Sequence, residues 1–412
     1  MSKNKRVSYK EVLEKCPEFD GVISRLSWDH QTATSKKTKE YLAKLWSKNI
    51  EQNVKNNLWK KHGSVRKDCI DLGRNKAIVG VGAGRSFNKN KHVLKKVNDL
   101  DGIKSWKDRD FIIVASNHMF KPLLKMGIIP DFVILVDASD VVMKQLNEDI
   151  PESGRNSILL TGLHCSPKVL KEWSNQGREI RFYLPMNVGL EEPFKKLTGK
   201  EPKHHLILQG GNVLNTLWSL GFAYFHSTTF MALGNDLSYT LYDNVDKQRD
   251  KYYADGDYSS NRPGTGTGRD EAKGMKKWLG FTLTPQLIYT GSKSRYNIKL
   301  DLVGTSPTLW VYKTWIEATI LQHAKEEKAY HYYNCSEGGI LGVMNSSMEF
   351  NPKELEDEKR WFMLDEKCSR WHTYMFKDAI DEFLTAKEMM KWGRISPLDV
   401  LNAIGSVQEM RV

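Results

Sequence analysis

Four stretches of this chain join glycine to a side chain that can meet a phosphate, a sugar hydroxyl or a proton. They are Gly82-Ala-Gly84-Arg-Ser86, Gly210-Gly211-Asn212, Gly234-Asn235-Asp236 and Glu337-Gly338-Gly339. Glycine lets a backbone turn tightly and approach a phosphate, whose charge is met by free N–H groups at a helix start. Ser86 can cap that helix or bind phosphate itself. Phe87 stands where the dinucleotide fingerprint has its third glycine, and no Gly-Lys-Ser/Thr follows to make a Walker loop. A plain tight turn would use the same glycines. Two further residues, Asn117 and Asp137, each close an apolar run. Asparagine offers donor and acceptor to a base or ribose. An acid can take a ribose hydroxyl, a proton or a Mg²⁺ ion. Helix capping is the alternative for each. His118, His164, His204, His205 and His226 show no metal-ligand spacing, and no Gly-x-Ser-x-Gly elbow signals a serine hydrolase.

The elements that must carry these residues alternate. Strands are predicted over Lys76–Val81, Asp110–Asn117, Phe132–Asp137, Asn156–Thr161, Arg178–Leu184 and Thr228–Gly234. Helices are predicted over Pro167–Trp173 and Val213–Leu220. Such alternation implies an α/β fold, a Rossmann-like doubly wound and mostly parallel sheet. In such a sheet the ligand lies along the carboxyl ends of the strands, where the polar residues above fall. Later segments read as a helix over Trp310–Lys325, a strand over Tyr330–Asn334, and helices over Leu355–Phe362 and Ala379–Trp392.

Before Lys76 the chain is polar and helical, with a short helix over Ser8–Cys16. A longer one over Thr38–Leu58 aligns Tyr41, Leu42, Leu45, Trp46 and Ile50 on one face. Residues 243–275 are rich in Asp, Lys, Tyr, Gly and Ser, and few of them could pack a core. They are read as a lid that orders on ligand binding, with a disordered insertion as the alternative. The expected organisation has three parts. These are a basic helical extension (1–75), a nucleotide-binding catalytic domain (76–345) carrying the lid, and a helical C-terminal region (346–412).

At 412 residues, 40% hydrophobic and with 12 Trp, the chain has the composition of a folded globular protein. No apolar run reaches the length of a membrane span, and no apolar segment follows the basic N-terminus as in a secretory signal. Five scattered cysteines form no CxxC pair, which fits a reducing, cytoplasmic setting. Of the net charge of +12, residues 1–75 hold +8, from 17 Lys and Arg against 9 Asp and Glu. The charges are interspersed, as on a solvated helical face. A platform for an anionic partner is the alternative.

Taken in order, the motifs resemble those of the 6-hydroxymethylpterin diphosphokinase-like (MptE-like) family, which also takes in the Maf motility-accessory factors linked to flagellin glycosylation. The Gly-x-Gly-Pro-Ser-Leu turn of that family reads Gly82-Ala-Gly84-Arg85-Ser86-Phe87 here. Gly-Ile-x-Pro-Asp is Gly127-Ile-Ile-Pro130-Asp131, and the acid-ending strand is Val136-Asp137. Gly-Gly-Ser/Asn-Val is Gly210–Val213, Gly-x-Asp-Leu is Gly234–Leu237, and Asn-x-Ser/Thr-Glu-Gly-Gly is Asn334–Gly339. Arg85 and Phe87 depart from the pattern, and the family's His-bearing stretch after Gly-x-Asp-Leu is replaced by residues 243–275.

The resemblance implies a transferase that uses a nucleotide-sugar donor or ATP, with Mg²⁺, and a hydroxyl-bearing acceptor. Glycosyl transfer is the expected reaction, because basic and aromatic flanks suit a macromolecular acceptor such as a protein, glycan or nucleic acid. Diphosphate transfer from ATP to a pterin alcohol is the alternative, and a nucleotide-binding protein without catalysis is a second. On this basis Asp137, Asp236 and Glu337 are the candidate catalytic acids, with Asp137 and Asp236 as Mg²⁺ ligands. Gly82, Gly84, Ser86, Asn117, Gly210, Gly211, Asn212 and Asn235 are the candidate nucleotide-binding residues. Gly84→Val is expected to block phosphate approach while sparing the fold.

Overall fold

The structure, a computed structural model, describes residues 42–101, 108–186, 189–207, 209–238, 282–289, 298–305, 307–345 and 361–391. The expected lid (243–275), the expected helix Ser8–Cys16 and residues 392–412 lie outside the described residues. The chain divides into two units. One takes the described residues of Met1–Gly82, Lys95–Ser227 and Thr314–Thr319. The other takes those of Ala83–Leu94, Thr228–Lys313 and Ile320–Val412.

The first unit is built on strands β1 (Gly63–Ser64), β2 (Ala77–Val81), β3 (Phe111–Ser116), β4 (Phe132–Leu135), β5 (Ile158–Gly162), β6 (Ile180–Pro185) and β7 (Leu206–Ile207). Strands β2 to β6 lie side by side in sequence order, all parallel. Both β1 and β7 pair in parallel with β6, each along part of its length. Every residue of β2, β3 and β4 is buried. Burial on both faces explains why these strands read as continuous apolar runs rather than alternating ones. Helices Phe120–Lys125, Met143–Leu146 and Pro167–Asn175 connect successive strands, and right-handed crossovers carry such helices to one face. The helix Val213–Ala223, buried from Leu214 onward, packs on β2 and β4. Its Trp218 meets Phe222 and Trp315 edge-on, with ring centroids 4.7 and 5.8 Å apart. The fold is α/β, with a mostly parallel sheet covered by helices on both sides.

The helix over residues 42–55 differs from its sequence reading in the stripe it buries. Trp46 and Ile50 are buried as expected, but Leu45 is exposed and the remaining buried positions are Asn49 and Asn53. Asn49 Nδ2 donates to the carbonyls of Ala138 and His164, each at 3.0 Å. Asn53 Nδ2 donates to those of Leu163 and Cys165, at 2.8 and 3.0 Å. The helix therefore holds the loops that follow β4 and β5.

The Gly127–Asp131 motif acts at the opposite ends of the strands. Gly127, at φ +69°, ends the helix Phe120–Lys125 in the left-handed region, and Ile128 N closes back on Leu123 O at 2.9 Å. Buried Asp131 then accepts from Ile113 N at 2.8 Å and from Arg109 at 3.0 Å. This locks the entry of β4 against β3.

In the second unit, β8 (Thr229–Leu233) is followed by the antiparallel pair β9 (Thr282–Tyr289) and β10 (Ile298–Thr305). Then come β11 (His331–Asn334), β12 (Val343–Asn345), β13 (Trp361–Met363) and β14 (Trp371–Thr373). Strands β8, β11 and β14 are parallel neighbours, and β12 pairs antiparallel with β13. Phe230, Tyr332 and Trp371 stand in register across the parallel strands and stack at 5.5 and 4.6 Å. These cross-strand pairs explain why the C-terminal region is partly sheet where a wholly helical one was expected. The expected helix over Ala379–Trp392 is present as Phe376–Lys391, whereas Trp361–Met363 is strand. Among the described residues no helix is long and apolar enough to cross a membrane.

Asn53→Ala would leave two buried carbonyls without a donor. It should destabilise the protein by about 1–3 kcal/mol, read as a lower denaturation midpoint at unchanged m-value.

Candidate functional site

The second unit gathers the residues of three motifs into one interlocked cluster. After β8 the chain turns through Gly234, at φ +60°, to Asn235 and Asp236. Gly84 N donates to Gly234 O at 2.7 Å. Ser86 N donates to Asp236 Oδ2 at 2.9 Å, the Ser86 hydroxyl donates to Oδ1, and the Arg85 amide adds a further bond. Behind the acid, Ile340 N donates to Asp236 O at 2.9 Å. Gly339, at φ +83°, lies so close that an added Cβ would sit 2.4 Å from the Asp236 backbone. Asn235 N donates to Ser336 Oγ at 3.0 Å, and its side chain donates to the Tyr332 hydroxyl at 3.2 Å.

Glu337 is held in the left-handed region at φ +54°, a conformation that non-glycine residues seldom adopt. Its carboxylate accepts from Phe376 N at 3.2 Å, at the start of the helix Phe376–Lys391. Its carbonyl takes the Lys89 ammonium. Asn90 reaches the neighbouring Cys335 carbonyl at 3.0 Å.

Burial pushes the Asp236 carboxyl above its ordinary range. The hydrogen bonds of Ser86 oppose that shift, as do the charge of Lys89 and the Arg85 amide. Burial raises Glu337 in the same way against Phe376 N, Asn90 and Lys89, and the charge of Asp378 adds to the rise. Both acids are therefore engaged in holding loops. Three donors thus occupy most of the roughly four acceptor sites of the Asp236 carboxylate, which leaves little of it for a Mg²⁺ ion.

In the first unit, Gly82, Asn117, Asp137 and Gly210–Asn212 follow the carboxyl ends of β2, β3, β4 and β7. Asp137 is exposed. Its Oδ1 accepts from Ser139 N at 2.8 Å in an Asx turn. No described protein group bonds its other oxygen. Asn117 is buried and donates from Nδ2 to Gln145 Oε1 at 2.6 Å. Gln145 Nε2 in turn lies 3.0 Å from His118 Nδ1.

Gly211 takes φ +87°. Asn212 Oδ1 accepts from Asn215 N at 2.8 Å and so caps the helix Val213–Ala223. Gly210 must be glycine, since a Cβ would lie 2.3 Å from Asn215 Cβ and 2.7 Å from the Trp315 ring. Beside it, Gln209 donates to the buried Tyr183 hydroxyl at 2.9 Å.

Several participants escape sequence reasoning. Asn49, Asn53, Gln145 and His118 carry no motif. The only signal is an Asn pair at i, i+4 on the apolar stripe of a helix, which marks a buried polar contact. His164 follows β5 and is fully buried, and burial lowers its imidazole to about 4. It packs edge-on to Trp46, with ring centroids 5.6 Å apart. Gly162 makes room for it, because a Cβ there would lie 2.2 Å from the ring. Among the described residues, no three His, Cys, Asp or Glu side chains come together as a metal cluster.

The expectation that Gly84→Val spares the fold is corrected. A Cβ on Gly84 would sit 2.5 Å from Gly234 O and 2.6 Å from Asp236 Cγ, and backbone oxygen cannot move aside cheaply. Even Gly84→Ala should lower stability by about 1–3 kcal/mol in a melting or urea experiment.

The acids add a pH dependence. Because the folded pKa of Asp236 is raised, the native state binds more protons than the unfolded one between the two values. Its contribution is therefore most favourable below the unfolded pKa and is lost as pH rises through the folded one. Asp236→Asn should flatten that part of the stability–pH curve. It should also lower stability throughout, since an amide nitrogen would face the Ser86 donors.

Residues 47–241 match the family model described as 6-hydroxymethylpterin diphosphokinase MptE-like. The match takes in most of the helix bearing Asn49 and Asn53, and it ends after Gly234–Leu237. No curated protein matches the chain. Among solved structures, the Maf glycosyltransferase from Magnetospirillum magneticum AMB-1 is similar at 14% identity and a TM-score of 0.45. The similarity covers 88% of this chain and 50% of that one. The chain thus spans half the length of that structure. The segment 47–241, which carries the motif series from the Gly-rich turn to Gly-x-Asp-Leu, is thus similar to the MptE-like family.

Proposed function

We propose that the protein is a nucleotide-dependent transferase that moves a sugar from a nucleotide-sugar donor to an acceptor hydroxyl. The observation that carries the reading is the carboxyl edge of the first unit. There an exposed acid, Asp137, ends one strand while Asn117 ends the parallel neighbour, and Gly210–Asn212 opens a helix. Such an edge suits a nucleotide. In the reaction, the acceptor oxygen bonds to the anomeric carbon as the bond from that carbon to the donor phosphate oxygen breaks. The hydroxyl proton passes to the free oxygen of Asp137, and the nucleotide leaves with the electron pair.

The donor set fits Mg²⁺ held by Asp137 together with phosphate oxygens, since this ion is commonly bound by one or two carboxylates plus substrate phosphates. Bound there, it would neutralise phosphate charge. The basic N-terminal segment supports a large anionic or polar acceptor. The family match favours a second reading, diphosphate transfer from ATP to a 6-hydroxymethylpterin, which would release AMP.

Product analysis separates the two. The protein is incubated with CMP- and UDP-sugars and, in parallel, with ATP and 6-hydroxymethylpterin, each with and without Mg²⁺. Nucleotide release coupled to sugar transfer is the expected result. AMP release that depends on the pterin would replace it with the second reading. Asp137→Asn should lower kcat about 100-fold or more if the group takes the proton, and should leave the melting temperature nearly unchanged because the residue is exposed. Full turnover in that variant would remove Asp137 from the reaction.

A further inference from the structure

We propose that Gln209 determines specificity at the nucleotide edge, where its amide oxygen, turned outward by Tyr183, accepts a hydrogen bond from a ribose hydroxyl or a base N–H of the donor. The proposal rests on the reading that the carboxyl edge of the first unit receives a nucleotide. Tyr183 is fully buried. Burial pushes its hydroxyl well above the ordinary range, so the group keeps its one hydrogen. That hydrogen goes to Leu135 O at 3.4 Å. The hydroxyl oxygen must then accept from Gln209, so the amide atom 2.9 Å away is Nε2, and Oε1 lies on the other arm of the amide. Among the described residues no group bonds Oε1, and that oxygen is not sealed from solvent.

The same contacts fix where the amide sits. Tyr183 stands in register with Gly162 of β5. Its ring passes Gly162, where a Cβ would lie 3.4 Å from Tyr183 Cε2, and its hydroxyl reaches the end of β4. Gln209 follows β7, on the far side of β6 from β5. Its amide is nonetheless drawn inward, to a hydroxyl that touches the strand delivering Asp137. Through that one hydroxyl it joins the two features on which the nucleotide reading stands, Asp137 and the helix start at Gly210–Asn212. An amide oxygen can only accept, so it selects a ligand group that donates. A site built to bond a ligand O–H or N–H rejects the analogue that lacks it, because the site's own polar group is left unpaired.

The test titrates the full-length protein calorimetrically with CMP, UMP and AMP and with their 2′-deoxy and 3′-deoxy forms, and melting curves follow every variant. Gln209→Met, which keeps the length and removes the amide, should lower the affinity of the best-binding nucleotide about tenfold. A ribose contact is read when one deoxy form binds the parent as much more weakly and Gln209→Met loses nothing further with it. A base contact is read when both deoxy forms keep the full effect of the substitution and one of the other bases loses it. Tyr183→Phe keeps the ring and frees the amide to turn. It should therefore weaken binding by itself and add nothing to Gln209→Met. Equal affinity in Gln209→Met and the parent would overturn the role of Gln209 and leave the nucleotide reading standing. A loss common to every nucleotide and every deoxy form would overturn the contact. Additive losses in the double variant would overturn the orientation by Tyr183. No binding of any of the three nucleotides by the folded parent would overturn both the role of Gln209 and the nucleotide reading.

Discussion

A parallel strand buried on both faces hands its chain to a loop whose carbonyls have lost their water, and those groups must find donors inside the protein. Here asparagine supplies many of them. Asn49 and Asn53 cover four carbonyls after β4 and β5. Asn147 serves Val169, Asn215 serves Gly210, Asn90 serves Cys335 and Asn334 serves Leu341. Asn98 both donates to Gly127 O and accepts from Ile129 N. Each bond adds little net stability, but a missing donor would leave an acceptor dry at a larger cost. The loops at the strand ends are therefore held through their backbones as well as by their buried side chains.

That constraint divides the labour among the motif residues. In the second unit the Gly-rich turn, Asn235–Asp236 and Asn334–Gly339 bond chiefly to one another. Three donors converge on the Asp236 carboxylate, and two glycines there leave no room for a Cβ. A motif can thus be strict in composition because its members fit together. In the first unit the polar residues after β3 and β4 are held from behind instead. Asn49 bonds the carbonyl of Ala138, next to Asp137, and Gln145 bonds both Asn117 and His118. Support of this kind leaves an oxygen of Asp137 for chemistry, and it positions the ring that follows Asn117.

Much of the architecture was legible in advance. The apolar runs at Ala77–Val81, Phe111–Ser116 and Phe132–Leu135 are strands, because only a doubly covered sheet makes such runs soluble. Asn212 marks a helix start by cap chemistry. Short elements were not legible. Strands β1 and β7 have two residues each, too few to show a period, and they exist because β6 offers them an edge. The C-terminal strand β14 was hidden by its charged surroundings, and its place depends on the stack of Trp371 on Tyr332.

By itself, then, the sequence determined the α/β class, the longer buried strands and the polar character of their carboxyl ends, because periodicity, glycine and caps act over a few residues. Only the tertiary structure decided what each polar residue does. Asp236 and Asp137 look alike in sequence, each an acid after an apolar strand. One is buried with both oxygens bonded to Ser86, and the other is exposed. Burial and partners are set by residues far away in the chain. A carboxylate's role follows from its solvation and its donors, and no local pattern of residue types records either.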